Sequence, residues 1–206
     1  MTSRVATRAF IAVTIATFAI FGVGCGGGND STTLTGQFAA SSTPSAVHLV
    51  KLVPQSASGS TFVVQAVIYG PDTNLDLYAF AFDVVIGNPS VLAYVTASNP
   101  TPGTALQATG GQTLEALAGP DGSDPTHIVV GVSKLGGGSG NGIASASAVV
   151  VSLTFQVLGQ GSSTLSIASS PTPVAKDSGG ATIGAITFDT ASGTVTGVNS
   201  GGNGPY

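Results

Sequence analysis

Asp72, Asn74 and Asp76 stand at alternate positions, with Asp83 eleven residues beyond the first. Oxygen donors so spaced could bind calcium, which takes about six to eight hard oxygen ligands. The loop that uses this spacing needs glycine at its sixth position for a sharp turn, and Leu77 stands there; the residues leading to Asp83 alternate as a strand does. Asp72, Asn74 and Asp76 are therefore metal candidates under one reading, a looser calcium site, and a plain acidic turn under the other. No other cofactor is implied. Asp121, Asp124 and His127 form a second polar cluster after Gly119-Pro120, read as a solvated turn. Nucleophilic catalysis needs a base oriented by a third group, and metal hydrolysis needs three ligands with an open position. The two histidines, His48 and His127, sit at the edges of expected strands with no such spacing around them. The glycine-rich run 136–142 lacks the lysine and helix of a phosphate loop. The chain is expected not to be an enzyme.

Cys25 is the only cysteine, so no disulfide forms within the molecule and the fold must rest on packing. Ahead of it, Arg4 and Arg8 precede an uncharged apolar run, 9–23, that ends in small residues. This is the pattern of a signal peptide, and its core is short of the ~20 apolar residues that a membrane span needs. Gly22-Val23-Gly24-Cys25 resembles the lipobox of bacterial lipoproteins. The resemblance implies a signal helix over 1–24 that is removed, and lipid on Cys25 as the new N-terminus. Acyl chains contribute ~0.8 kcal/mol per buried CH₂, so two or three of them hold a protein to a membrane. Gly26 follows the cysteine rather than Asp, which implies an exported protein at the outer membrane or cell surface. An ordinary signal with an incidental cysteine is the alternative.

Residues 25–45 are rich in Gly, Ser and Thr with little to bury, and read as a flexible tether. Beyond Gly24, three lysines face nine acids, a net charge of −6. Nucleic acid is excluded as a partner, because a phosphate-binding surface needs clustered Lys or Arg. The body, 46–198, is long enough for one domain with its own core, and 199–206 read as a disordered tail.

Within that body apolar residues recur with period two. The sets are Phe62, Val64, Ala66 and Ile68; Tyr78, Phe80, Phe82, Val84 and Ile86; Ile128, Val130 and Val132; and Val149, Val151, Leu153, Phe155 and Val157. Shorter strands are expected at 47–53, 91–97, 103–108, 112–118, 163–168, 181–188 and 194–198, with Gly, Pro, Asn and Asp between them. Many short strands at such intervals predict an all-β fold of two packed antiparallel sheets. A closed up-and-down barrel is the structural rival. On the strand 77–83 the odd residues Leu77, Ala79, Ala81 and Asp83 are expected to face outward.

Three stretches in order resemble the cohesin-like and carbohydrate-module sandwiches: residues 77–83 running to Asn88-Pro89-Ser90-Val91-Leu92; 128–133, a glycine-rich loop and 150–157; and the closing Ser192-Gly193-Thr194-Val195-Thr196. The resemblance implies a jelly-roll β-sandwich of about nine antiparallel strands. It also implies a binding role: a scaffold module that holds an extracellular protein, a dockerin in the cohesins, or a polysaccharide in their relatives. Candidate contact residues are Ala79, Ala81 and Asp83 on the outward face, and Tyr69 and Tyr94 as aromatic platforms. A monomer is expected, joined to the membrane by its lipid alone. A structural envelope lipoprotein without a discrete ligand is the third reading.

Overall fold

The computed structural model describes residues 33–200 except Ser123. The expected signal helix, Cys25 and its lipid lie outside the described residues. Two sheets face each other across one apolar core. In the first, strands run in the order β1 (Thr33–Ala39), β15 (Gly193–Ser200), β12 (Gly161–Ile167), β5 (Ala79–Ile86), β9 (Asp124–Leu135) and β8 (Thr113–Asp121), and β13 (Val174–Lys176) pairs with β5 beyond the end of β12. In the second, the order is β14 (Thr187–Phe188), β2 (Leu49–Ser58), β3 (Thr61–Tyr69), β11 (Ser147–Val157) and β6 (Leu92–Tyr94), with β7 (Thr101–Pro102) also along β11. A separate pair, β4 (Asp72–Leu77) and β10 (Asn141–Ile143), lies outside both. The fold is the expected all-β sandwich. Its fifteen described strands exceed the expected nine because short pieces pair locally, and β14 runs parallel to β2 where every pairing was expected antiparallel.

Alternation builds the core. Phe80, Phe82, Val84 and Ile86 of β5, Phe62, Val64, Ala66 and Ile68 of β3, and Leu153, Phe155 and Val157 of β11 are each at most 3% exposed and belong to one cluster. Across the sheets Phe82 meets Phe188, with ring centroids 6.0 Å apart. Burying such side chains is worth about 1.5–3 kcal/mol apiece.

Three expectations are corrected. Val149 is half-buried, because the β11–β3 register shifts between Val149 and Val151. The extra residue reverses the side-chain phase, so Ala148 and Val150 point inward instead. Leu77 is fully buried rather than outward, and Tyr78 is half-buried rather than core. The chain breaks phase at Tyr78, whose N–H donates to the Lys176 carbonyl (2.9 Å) and whose carbonyl accepts from Lys134 N–H (3.0 Å).

The third correction is to the described parts of the tether, 33–45, and of the tail, 199–200; residues 25–32 and 201–206 lie outside the described residues. Thr33–Ala39 forms the edge strand β1, paired antiparallel with β15 from Thr33↔Ser200 to Ala39↔Thr194. Phe38 enters the core there, and β15 runs through Ser200. Residues 41–43 are held too. The Thr43 hydroxyl donates to Asp189 Oδ1 at 2.9 Å, that of Ser41 donates to Oδ2, and Lys51 Nζ donates to the Ser41 carbonyl at 2.8 Å.

Candidate functional site

The inward residues of β5 dictate its outward ones. With Phe80, Phe82 and Val84 in the core, Ala79, Ala81 and Asp83 take the outer face, as alternation expects. Strand register carries this face sideways. Ala81 stands beside Gly131 of β9 and Val174 of β13, and Gly131 stands beside Leu117 of β8. The row Leu117–Gly131–Ala81–Val174 is therefore a lane of small side chains between two branched ones. Leu117 is 64% exposed and Val129, next to Asp83, is 46% exposed. Two shallow depressions flank the lane. One, of about 170 Å³, is lined by Ala79, Glu115, Leu117, Gly131 and Ser133. The other, of about 220 Å³, is lined by Ala81, Asp83, Val129, Pro171, Thr172 and Val174.

Asp83 points outward yet its side chain is only 8% exposed. The chain returning from β12 covers it, anchored by Ala168 N–H donating to the Asp83 carbonyl at 2.9 Å. No described residue donates a hydrogen bond to its carboxylate; His127 Nδ1 is 4.0 Å from Oδ2. Burial pushes the Asp83 carboxyl above the usual range, with the charge of Asp121 adding to the rise and that of His127 opposing it.

The five candidate contact residues do not converge. Ala79, Ala81 and Asp83 share the first sheet, whereas Tyr69 and Tyr94 belong to the second. Tyr94 is a core residue, edge-on to Phe155 at 5.7 Å between centroids, and burial raises its hydroxyl pKa. It offers no platform for a sugar ring. Tyr69 is half-buried opposite Ser147.

Asp72, Asn74 and Asp76 do not converge either. The Asp72 carboxylate accepts from Asn74 N–H at 2.9 Å and meets His48 Nε2 at 2.9 Å. Asp76 accepts from the Ser178 hydroxyl at 2.6 Å, from Ser178 N–H at 3.2 Å and from Gly140 N–H. These donors, the Asn74 N–H first for Asp72 and the Ser178 hydroxyl first for Asp76, hold both carboxyls below the usual range. Hydrogen-bond donors thus occupy the oxygens that a cation would need, and among the described residues no group of three His, Cys, Asp or Glu side chains comes together. Asp124 likewise accepts from the hydroxyl and N–H of Thr126, closing its own turn at 2.6 and 2.8 Å.

Sequence reasoning missed Leu117, Val129 and Gly131. Their signal was present as the odd positions of expected strands whose even positions are apolar. It also missed Lys134, which continues the inward phase of Ile128, Val130 and Val132 and is 1% exposed, with Nζ donating to the Ser139 carbonyl at 3.2 Å.

No family model matches the chain, and no curated protein matches it in sequence. Among solved structures it is similar to a type II cohesin domain from the cellulosome of Acetivibrio cellulolyticus, with 16% identity, a TM-score of 0.46, and 70% of this chain and 92% of that one covered. It is also similar to a type II cohesin from Bacteroides cellulosolvens, at 14% identity and TM-score 0.45, covering 71% of this chain and 96% of that one. A cohesin module from a family 33 glycoside hydrolase of Clostridium perfringens gives 14% identity and TM-score 0.42, covering 82% and 97%. The chain is similar to these modules, and the sandwich itself rests on the strand pairings above.

Proposed function

We propose that this chain is an exported, non-catalytic protein-binding module, lipid-anchored through Cys25, that docks an extracellular protein on the outer face of β5, β9 and β8. The observation that carries the reading is the row Leu117–Gly131–Ala81–Val174, an open lane of small residues with Leu117 standing 64% exposed at its end. An apolar side chain of that exposure, with Val129 46% exposed on the same face, gains by being covered. Glu115 beside the lane and the body's net charge of −6 favour a partner with a basic surface. The resemblance of the sequence to cohesins makes a dockerin the first partner to test.

In the test, the full chain is immobilised and dockerin-bearing proteins of the same organism are titrated against it, with Leu117→Arg in parallel. The expected result is at least tenfold weaker binding by the variant with an unchanged melting temperature. Equal binding would reject this face, and retention on insoluble polysaccharide instead would reject a protein partner. Anchoring is checked separately by metabolic labelling with an alkynyl fatty acid, which Cys25→Ser should abolish.

A further inference from the structure

Asp83 is the one buried charged side chain among those lining the two depressions of this face. Its carboxylate is 8% exposed and receives no hydrogen bond from any described residue. It lines the depression of about 220 Å³, where every other lining residue except Thr172 has an apolar side chain, Ala81, Val129, Pro171 and Val174 among them. Removing a carboxylate from water without a partner is costly, so whatever covers this depression must supply a donor. His127, 4.0 Å away, stands at the margin and does not hydrogen-bond to it. An acidic group entering here would be repelled by Asp83 and Asp121. A neutral apolar group would seal the carboxylate in without a hydrogen-bond donor, His127 being 4.0 Å away. A metal ion would find a single carboxylate among hydrocarbon walls.

We infer that this depression receives a lysine side chain of the docked protein, its four-carbon stem against Ala81, Val129 and Val174 and its ammonium on the Asp83 carboxylate. The inference rests on the docking reading above and names the chemistry of the partner residue. A lysine suits the shape because its stem buries while its charged head seeks a polar end. A charge-assisted hydrogen bond in so sheltered a place contributes roughly tenfold or more in affinity.

The test needs no identified partner. The full chain, with its alanine and valine methyls carbon-13 labelled, is titrated at constant ionic strength with n-butylammonium chloride, which is the lysine side chain cut at Cβ, and with n-butanol. Butylammonium is expected to shift the Ala81, Val129 and Val174 methyl signals and to bind about tenfold more tightly than n-butanol. Asp83→Asn should bring the two probes level, and Ala81→Leu, which keeps the carboxylate but fills the depression, should abolish both. Equal affinities, unmoved methyls or an indifferent Asp83→Asn would overturn the inference. Protein docking that is lost in Leu117→Arg but unchanged in Asp83→Asn would overturn it while leaving the docking face standing. Butylammonium binding that depends on Asp83, with no protein docked by the chain, would keep the amine site and overturn the docking reading.

Discussion

Phe38 of β1 packs against Gly193 of β15 so closely that a methyl group on the glycine would meet the ring at 2.5 Å and the Ala39 carbonyl oxygen at 2.7 Å. Gly193→Ala is therefore expected to destabilise the domain by about 1–3 kcal/mol, the usual range for overpacking. Gly131→Ala is the control, since nothing lies within 4 Å of its added methyl. It should be neutral or slightly stabilising, because glycine inside a strand loses more backbone entropy than alanine. Urea unfolding of the two variants measures the contrast, and equal midpoints would mean that β1 is not packed against β15 as described.

Asp189 holds the segment that follows β1. It is 7% exposed and accepts from both the Ser41 and Thr43 hydroxyls, besides Ala191 N–H at 3.1 Å. Removing it strands those hydroxyls and frees the segment, so Asp189→Ala should cost about 1–3 kcal/mol. It should also make residues 40–45 a new site of limited proteolysis. An unchanged cleavage pattern would show that the segment is held by other means.

These contacts also show where sequence reading stops. Phe80, Phe82, Val84 and Ile86 were legible because every second residue is large and apolar, and the outward positions of Ala79, Ala81 and Asp83 follow from them. β1 was not legible: its inward set is Leu34, Gly36 and Phe38, set among Thr, Gln and Gly, and its partner lies at the other end of the chain. Nor does periodicity reveal a bulge such as the one at Val149. The row Leu117–Gly131–Ala81–Val174 needed the order β8–β9–β5, a fact of register that no single segment contains. The shelter over Asp83 comes from residues 168–174, far along the chain, so its unmet carboxylate was invisible until the loop was placed.

Lys134 should show its burial as a pH dependence. Burial lowers its pKa and the nearby Asp76 charge opposes the fall. Between the lowered value and the ordinary 10.5, the unfolded chain holds more protons than the folded one, so stability rises with pH across that window. Lys134→Met keeps the stem and removes the charge. It leaves no orphan, because Gln112 Nε2 also donates to the Ser139 carbonyl at 3.2 Å and Asp76 keeps its Ser178 and Gly140 donors. The variant is expected to equal or exceed the parent in stability at neutral pH, as replacement of buried charge often does. It should lose the alkaline rise; guanidinium unfolding at pH 7, 9 and 10 measures both, and a parallel profile for the two proteins would refute it.

Asp83→Asn carries the opposite acid-side signature. Because the folded Asp83 carboxyl titrates above its ordinary value of 3.8, the folded chain binds the proton more tightly than the unfolded one. The stability this contributes is complete below the ordinary value and is lost as pH rises through the raised one. At neutral pH the ionised carboxylate therefore costs stability, and an asparagine of the same shape does not. Asp83→Asn should be more stable than the parent at pH 7, with the difference shrinking to nothing as pH falls below 3.8. His127→Ala should enlarge the cost, since the histidine is what opposes the rise. Thermal unfolding from pH 3 to pH 8 follows all three proteins, and an Asp83→Asn variant less stable than the parent at pH 7 would mean that the carboxylate already has a donor, leaving no vacancy for a partner's ammonium to fill.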